Sequence, residues 1–185
     1  PMLNLHMSAR LDEKDLAILT LLQKDCKLTA REIAEKIDAP VTTVFAKIKR
    51  MEQEGIIKEY RAILDSKKLN FGVTAFILAS FSYRSGKGEE TLSQRFIAEE
   101  IAKFPEVQEV HIISGDWDIL IKVKERDVDR VGKFVVDKLR TVKGIEKTLT
   151  CIVFDTPKET TALALPTKRQ TKSVQPIAQE PKPKL

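Results

Sequence analysis

Residues 29–57 read T-A-R-E-I-A-E-K-I-D-A-P-V-T-T-V-F-A-K-I-K-R-M-E-Q-E-G-I-I, two short amphipathic helices around a tight break. Thr29 is placed to cap the first helix, and Glu32 can reach back to it as a capping box. Ile33, Ala34 and Ile37 fall on one side. Asp38-Ala39-Pro40 breaks the pattern, because Asp tolerates turn conformations and Pro suits the first position of a new helix. Val44, Ile48 and Met51, at i, i+4 and i+7, give the second helix its buried stripe. Gly55 closes it. The opposite face presents Thr42, Thr43, Ala46, Lys47, Lys49 and Arg50. A hydroxyl-rich start and a basic second half suit a helix lying in a DNA major groove; the alternative is a helical hairpin used only for packing or dimerisation. Thr42, Thr43 and Ala46 are the base-edge candidates, and Lys47, Lys49 and Arg50 the phosphate candidates. Phe45 reads as a boundary residue of the core, with contact to a thymine methyl as the sharper alternative.

Net charge adds little to that reading. The chain of 185 residues carries +5, but residues 158–185 hold six Lys/Arg against two Asp/Glu, so the body is near neutral. The local basic face is therefore the better evidence for DNA. Cys26 and Cys151 are far apart, without a CxxC or Cys/His cluster, so no metal site or disulfide framework is expected. Free thiols fit a reducing cytoplasm. No Gly-rich phosphate loop, Ser/His/Asp set or Cys/His pair is present, and His111, beside Glu109, stands alone. No catalytic residue and no cofactor are expected. The longest mainly apolar run, Val73 to Phe81, is too short to span a membrane. No signal-peptide pattern opens the chain, and Pro1 to Met7 read as a cloning remnant before a native start. Asn occurs only at positions 4 and 70 amid abundant Lys and Glu, which leans toward a thermophilic source.

A first helix is expected from Asp12 to about Lys24, with Leu16, Ile18, Leu19 and Leu22 as its stripe. Ile56 to Leu64 reads as a strand, and Asp65 to Gly72 as a hinge. The second half then alternates: strand Val73–Tyr83; helix Leu92–Phe104 with Leu92, Phe96, Ile97, Ile101 and Phe104 on one side; strand Val107–Ser114. A strand through Ile119, Ile121 and Val123 follows, then a helix capped by Asp127 with Val128, Val131, Val135 and Leu139. Gly144 breaks that helix, and a strand covers Ile145–Phe154. This order is the split βαβ arrangement of ferredoxin-like domains. The expected fold is α+β, a helix-turn-helix domain at 11–57, a strand and hinge linker at 58–72, a βαββαβ domain at 73–157, and a flexible basic tail at 158–185. The alternative for the tail is that its apolar patch, Ala162 to Leu165, docks on a neighbouring subunit.

Ser114-Gly115-Asp116-Trp117-Asp118 joins two of these strands. Such a loop can offer backbone N–H groups beside carboxylates, as a zwitterionic amino acid requires. An ordinary β-turn is the plainer reading.

Together the segments L-D-E-K-D-L-A-I-L-T-L-L-Q-K-D, T-A-R-E-I-A-E-K-I, V-F-A-K-I-K-R-M-E-Q-E-G-I-I-K-E-Y and G-D-W-D-I-L-I-K-V resemble the Lrp/AsnC family of regulators, over about residues 11–157. The resemblance implies a winged helix-turn-helix DNA reader joined to a ferredoxin-like domain that dimerises sheet to sheet, with tetramers or octamers built from dimers. It implies a cytoplasmic transcriptional regulator of double-stranded DNA and no enzyme. It also implies a small effector, often an amino acid, bound between dimers near Ser114, Gly115, Asp116, Trp117 and Asp118, with Thr148 and Thr150 on the last strand as weaker candidates. Three positions depart from the family pattern: Pro40 replaces a small polar cap, Lys47 stands where Arg is frequent, and Trp117 where Tyr is common. Lys loses bidentate geometry. The alternatives are an architectural DNA-coating protein and a sirohaem-decarboxylase-like enzyme, for which His111 is the only internal histidine.

Overall fold

The computed structural model describes residues 11–82 and 93–166. They fall into two units, one formed by residues up to Ala62 together with those from Thr160 onward, the other by Ile63–Glu159.

The first unit holds α1 (Glu13–Lys24), α2 (Ala30–Ile37) and α3 (Val41–Gln53). Two capping boxes start its helices. Asp12 and Asp15 bond reciprocally at α1, and Thr29 and Glu32 do so at α2. Asp38 ends α2 in the left-handed region at φ 50°. Pro40 sits one residue earlier than expected, as the cap of α3 and not its first helical position; with no side-chain donor or acceptor it makes no capping bond. Ile18, Ile33, Ala34, Val44 and Met51 form the core, edged by Leu22, Ile37 and Ile48. Gly55, at φ +70°, reverses the chain. Ile56 N–H donates to Met51 O at 2.9 Å and Gly55 N–H to Glu52 O at 3.0 Å, a Schellman closure.

The strand expected over Ile56–Leu64 does not form. Ile56 and Ile57 pack against the helical core, and no ladder follows them. Within this unit Tyr60 is anchored instead by its hydroxyl, which donates to Glu52 at 2.9 Å. Alternating apolar residues make a strand only where a second strand pairs with them, and the described residues of this chain offer none.

The second unit runs β1 (Val73–Phe81), α4 (Gln94–Ala102), β2 (Val107–Ile112), β3 (Ile119–Glu125), α5 (Val128–Lys133) and β4 (Ile145–Ile152). Asp127 caps α5, its carboxylate accepting from Arg130 N–H at 2.8 Å. The sheet order is β2-β3-β1-β4, with all neighbours antiparallel. This is the ferredoxin-like topology. Tyr83 and Leu92 lie outside the described residues.

One sheet face packs on the helices. Ala75, Ile77 and Ala79 of β1 and Ile119, Ile121 and Val123 of β3 alternate inward against Ile97, Ile101, Val131 and Leu139. Two expected core residues are exposed: Phe96 at 55% and Val128 at 56%. Ile97 and Ala98 bury their side of α4 instead, and Val128 lies in the open first turn of α5. After Lys133 the helix widens into a π turn over Phe134–Lys138 and tightens into a 3₁₀ turn over Leu139–Thr141. Phe134 and Val135 are both buried there, and Phe134 meets Phe104 edge to face at 5.7 Å.

The other sheet face carries Phe76, Leu78, Leu120, Leu149 and Cys151. Phe76 pairs across to Cys151 and Lys122, and Leu78 to Leu149 and Leu120. Lys122 holds Glu109 at 3.0 Å and also Glu159, which binds Lys124 at 2.9 Å. The segment from Thr160 to Pro166 departs from the expected free tail and belongs to the first unit. Gln23 of α1 clasps it there, accepting from Leu163 N–H at 2.7 Å and donating to Leu163 O at 3.2 Å. Residues from 167 onward lie outside the described residues. Among the described residues no helix is long and apolar enough to cross a membrane.

Candidate nucleic-acid interface and effector loop

With Val44, Ile48 and Met51 turned into the core, α3 offers a single free side. Thr42, Thr43, Ala46, Lys47 and Arg50 line one open hollow of about 450 Å³ on it. Phe45 and Lys49, four residues apart, follow the adjoining flank, and both are exposed. Phe45 is 56% exposed, so it is not a boundary residue of the core. Thr42 and Ala46 are exposed, while Thr43, Lys47 and Arg50 are half-buried.

The charges on this face are not all free. Asp15 of α1 is completely buried and lies between two of them. Its carboxylate accepts from Lys47 Nζ at 3.1 Å and pairs with Arg50 Nη2 at 2.8 Å. Lys47 also donates to Asp12. The hydrogen bond from Lys47, aided by the Asp15 N–H, holds the Asp12 carboxyl down at about 2. Burial works against the Lys47 charge, but the bonds to Asp12 and Asp15 outweigh it and leave its pKa raised. Two acids of α1 thus offset two cations of α3. Lys49, exposed on the flank, has no ion-pair partner among the described residues. Sequence reasoning missed Asp12 and Asp15 as part of this surface. The signal was present as acids at the cap and third position of α1, matched to cations three apart on α3.

In the second unit the chain from Ser114 to Asp118 closes the β2–β3 hairpin, with Ile113 N–H donating to Asp118 O at 2.9 Å. Gly115 takes φ +121°, which favours glycine. Asp118 works for the fold: its carboxylate accepts from Phe81 N–H at 3.1 Å, and its own N–H donates to Ala79 O at 3.1 Å. Gln94 donates to its carbonyl at 3.0 Å. Ser114, Gly115 and Asp116 are exposed, and Trp117 is half-buried. Asp116 is the exposed carboxylate of the loop. Thr148 pairs with Ala79, on the strand that Asp118 grips, and Thr150 pairs with Ile77, one step further from the loop. The described hollow of this domain, about 580 Å³, lies instead between α4 and the turn after α5, lined by Phe96, Phe104 and Val142 among others. His111 is exposed on β2, its Nε2 3.2 Å from the Glu109 carboxylate. Among the described residues no three His, Cys, Asp or Glu side chains converge as a metal site.

Comparison with known proteins agrees with this architecture. Residues 11–58 match the winged helix-turn-helix DNA-binding family, and residues 86–163 match the Lrp/AsnC ligand binding domain. An uncharacterized HTH-type transcriptional regulator of Pyrococcus abyssi is 43% identical over 153 residues, 83% of this chain and 99% of that one. An HTH-type transcriptional regulator of Pyrococcus horikoshii is 34% identical over 159 residues, 86% and 99% of the two chains. Among solved structures, a Neisseria meningitidis transcriptional regulator in complex with L-Met superposes with a TM-score of 0.74 at 30% identity, over 83% of this chain and 96% of that chain. AsnC of E. coli superposes at 0.73 with 25% identity, over 82% and 97%. The chain belongs to the Lrp/AsnC family of helix-turn-helix transcriptional regulators.

Proposed function

We propose that α3 reads the DNA major groove, and that a dimer presents two such helices to a pseudo-palindrome with half-sites about one helical turn apart. The observation that carries this is the grouping of Thr42, Thr43, Ala46, Lys47 and Arg50 on the one free side of a helix otherwise buried. Thr42, Thr43 and Ala46 are the base-edge groups. Lys49 is the principal phosphate contact, because Lys47 and Arg50 are already paired with Asp12 and Asp15. That partial neutralisation favours a sequence-reading regulator over a charge-driven DNA coat.

The reading extends to the second unit. The apolar face of Phe76, Leu78, Leu120 and Leu149 supports dimerisation sheet to sheet, with higher assemblies built from dimers. Asp116 and the exposed loop of Ser114, Gly115 and Asp116 suit an amino acid, the carboxylate taking its ammonium group. L-Met is the first effector to try, since a relative was solved with it. The effector acts by favouring one assembly over another. The protein acts in the cytoplasm as a regulator and not as an enzyme.

Lys49→Ala should weaken binding to every duplex alike and lower the salt slope by about one. Unchanged affinity and slope would remove Lys49 from the interface. For the loop, one amino acid of a panel should raise the melting temperature of the wild type and leave Asp116→Ala unmoved. Equal stabilisation of both proteins moves the effector site elsewhere.

A further inference from the structure

We propose that Asp12 is a positioning residue for DNA affinity: it withholds the Lys47 ammonium from phosphates, so that duplex of any sequence is bound more weakly and with a smaller salt dependence. The inference rests on the reading of α3 as the DNA-contacting helix.

The two oxygens of Asp12 have separate tasks. Oδ1 accepts from Asp15 N–H at 2.9 Å and caps α1, while Oδ2 takes Lys47 Nζ. Asp15 does not depend on Lys47 alone, since Arg50 meets its other oxygen at 2.8 Å. Asp12 Oδ2 therefore serves Lys47. The pair stands at the edge of the recognition surface: the Asp12 side chain is 56% exposed and the Lys47 side chain 18%. Lys47 shares its hollow with Thr42, Thr43, Ala46 and Arg50, the groups set to meet DNA.

Binding to arbitrary sequence is almost entirely electrostatic, and each cation that neutralises a phosphate contributes about one unit of salt slope. An ammonium held by two carboxylates does not contribute its share. The withheld contact is the same on every sequence, as for Lys49, so Asp12 lowers affinity for all duplexes alike.

The test uses the full chain, a random-sequence duplex, and a duplex enriched by the protein from a random pool. Asp12→Asn keeps the capping oxygen and turns the other into an amide nitrogen that cannot accept from Lys47. The variant should bind random duplex about three- to tenfold more tightly near 50 mM salt, with a slope steeper by about one. The enriched duplex should gain by the same factor. In a Lys47→Met background, or Lys47→Gln should that variant fail to fold, Asp12→Asn should change neither affinity nor slope. An unchanged single variant overturns the inference, and so does an equal gain in both backgrounds, which is plain repulsion between Asp12 and DNA. Wild-type protein that binds no duplex overturns the reading of α3 itself, and this inference with it.

Discussion

Asp15 is a carboxylate without exposed surface, held by Lys47 and Arg50 from a different helix. Removing one member of such a group strands the others in a poorly solvated place. Asp15→Ala should cost about 2–3 kcal/mol in urea unfolding, with partial exposure of the two cations keeping it below the fully buried range. A cost under about 0.5 kcal/mol would mean that the pairing is incidental. Asp12 gives a pH signature. Its folded pKa, about 2, lies below the ordinary Asp value, so its contribution is complete above about pH 4 and lost as pH falls toward 2. Exposure screens that contribution to less than ~1 kcal/mol. Stability measured from pH 5 to 2 should fall less steeply in Asp12→Asn than in wild type. At this scale the sequence displayed the cations of α3 and the acids at the start of α1, but their pairing, across 32 to 35 residues, shows only once the helices are packed.

Helices were the most legible elements, because their signals are local. Thr29, Glu32, Gly55 and Asp127 announced their ends, and each performs the expected task. Thr29→Ala should lower stability by about 1 kcal/mol through loss of the capping box. Gly55→Ala should cost a similar ~1 kcal/mol, because φ +70° penalises a Cβ although the space around it is open. Thermal melts of both variants check this; a neutral Gly55→Ala would mean that the turn relaxes. The strand reading of Ile56–Leu64 failed for the opposite reason. A ladder needs a distant partner, and alternation alone cannot supply one. The π turn after α5 leaves no mark in a 3.6-residue period, which also predicts Val128 inside although it lies in the exposed first turn of α5.

At the scale of the whole molecule, the order of strands and helices carried the topology, and both units match known families. Less legible was which sheet face stays uncovered, since inner and outer faces of a sheet differ only by which side the helices cover. Leu149 tests that surface without disturbing the core, because it is 46% exposed on the open face. Leu149→Asp should keep the melting temperature of the fold and reduce the mass seen by light scattering to that of a monomer. An unchanged mass would place the dimer contact elsewhere. The loop of Ser114 to Asp118 was legible as a loop but not in its division of labour, where Asp118 secures β1 and Asp116 is exposed.

A dimer of this chain is proposed to read sequence through two α3 helices. Selection of duplexes from a random pool by the whole chain, followed by footprinting of the enriched sequence, tests this. The expected result is a pseudo-palindrome protected in two patches about 10 base pairs apart, on one face of the helix. Broad protection that is indifferent to sequence, with no motif enriched, would contradict it.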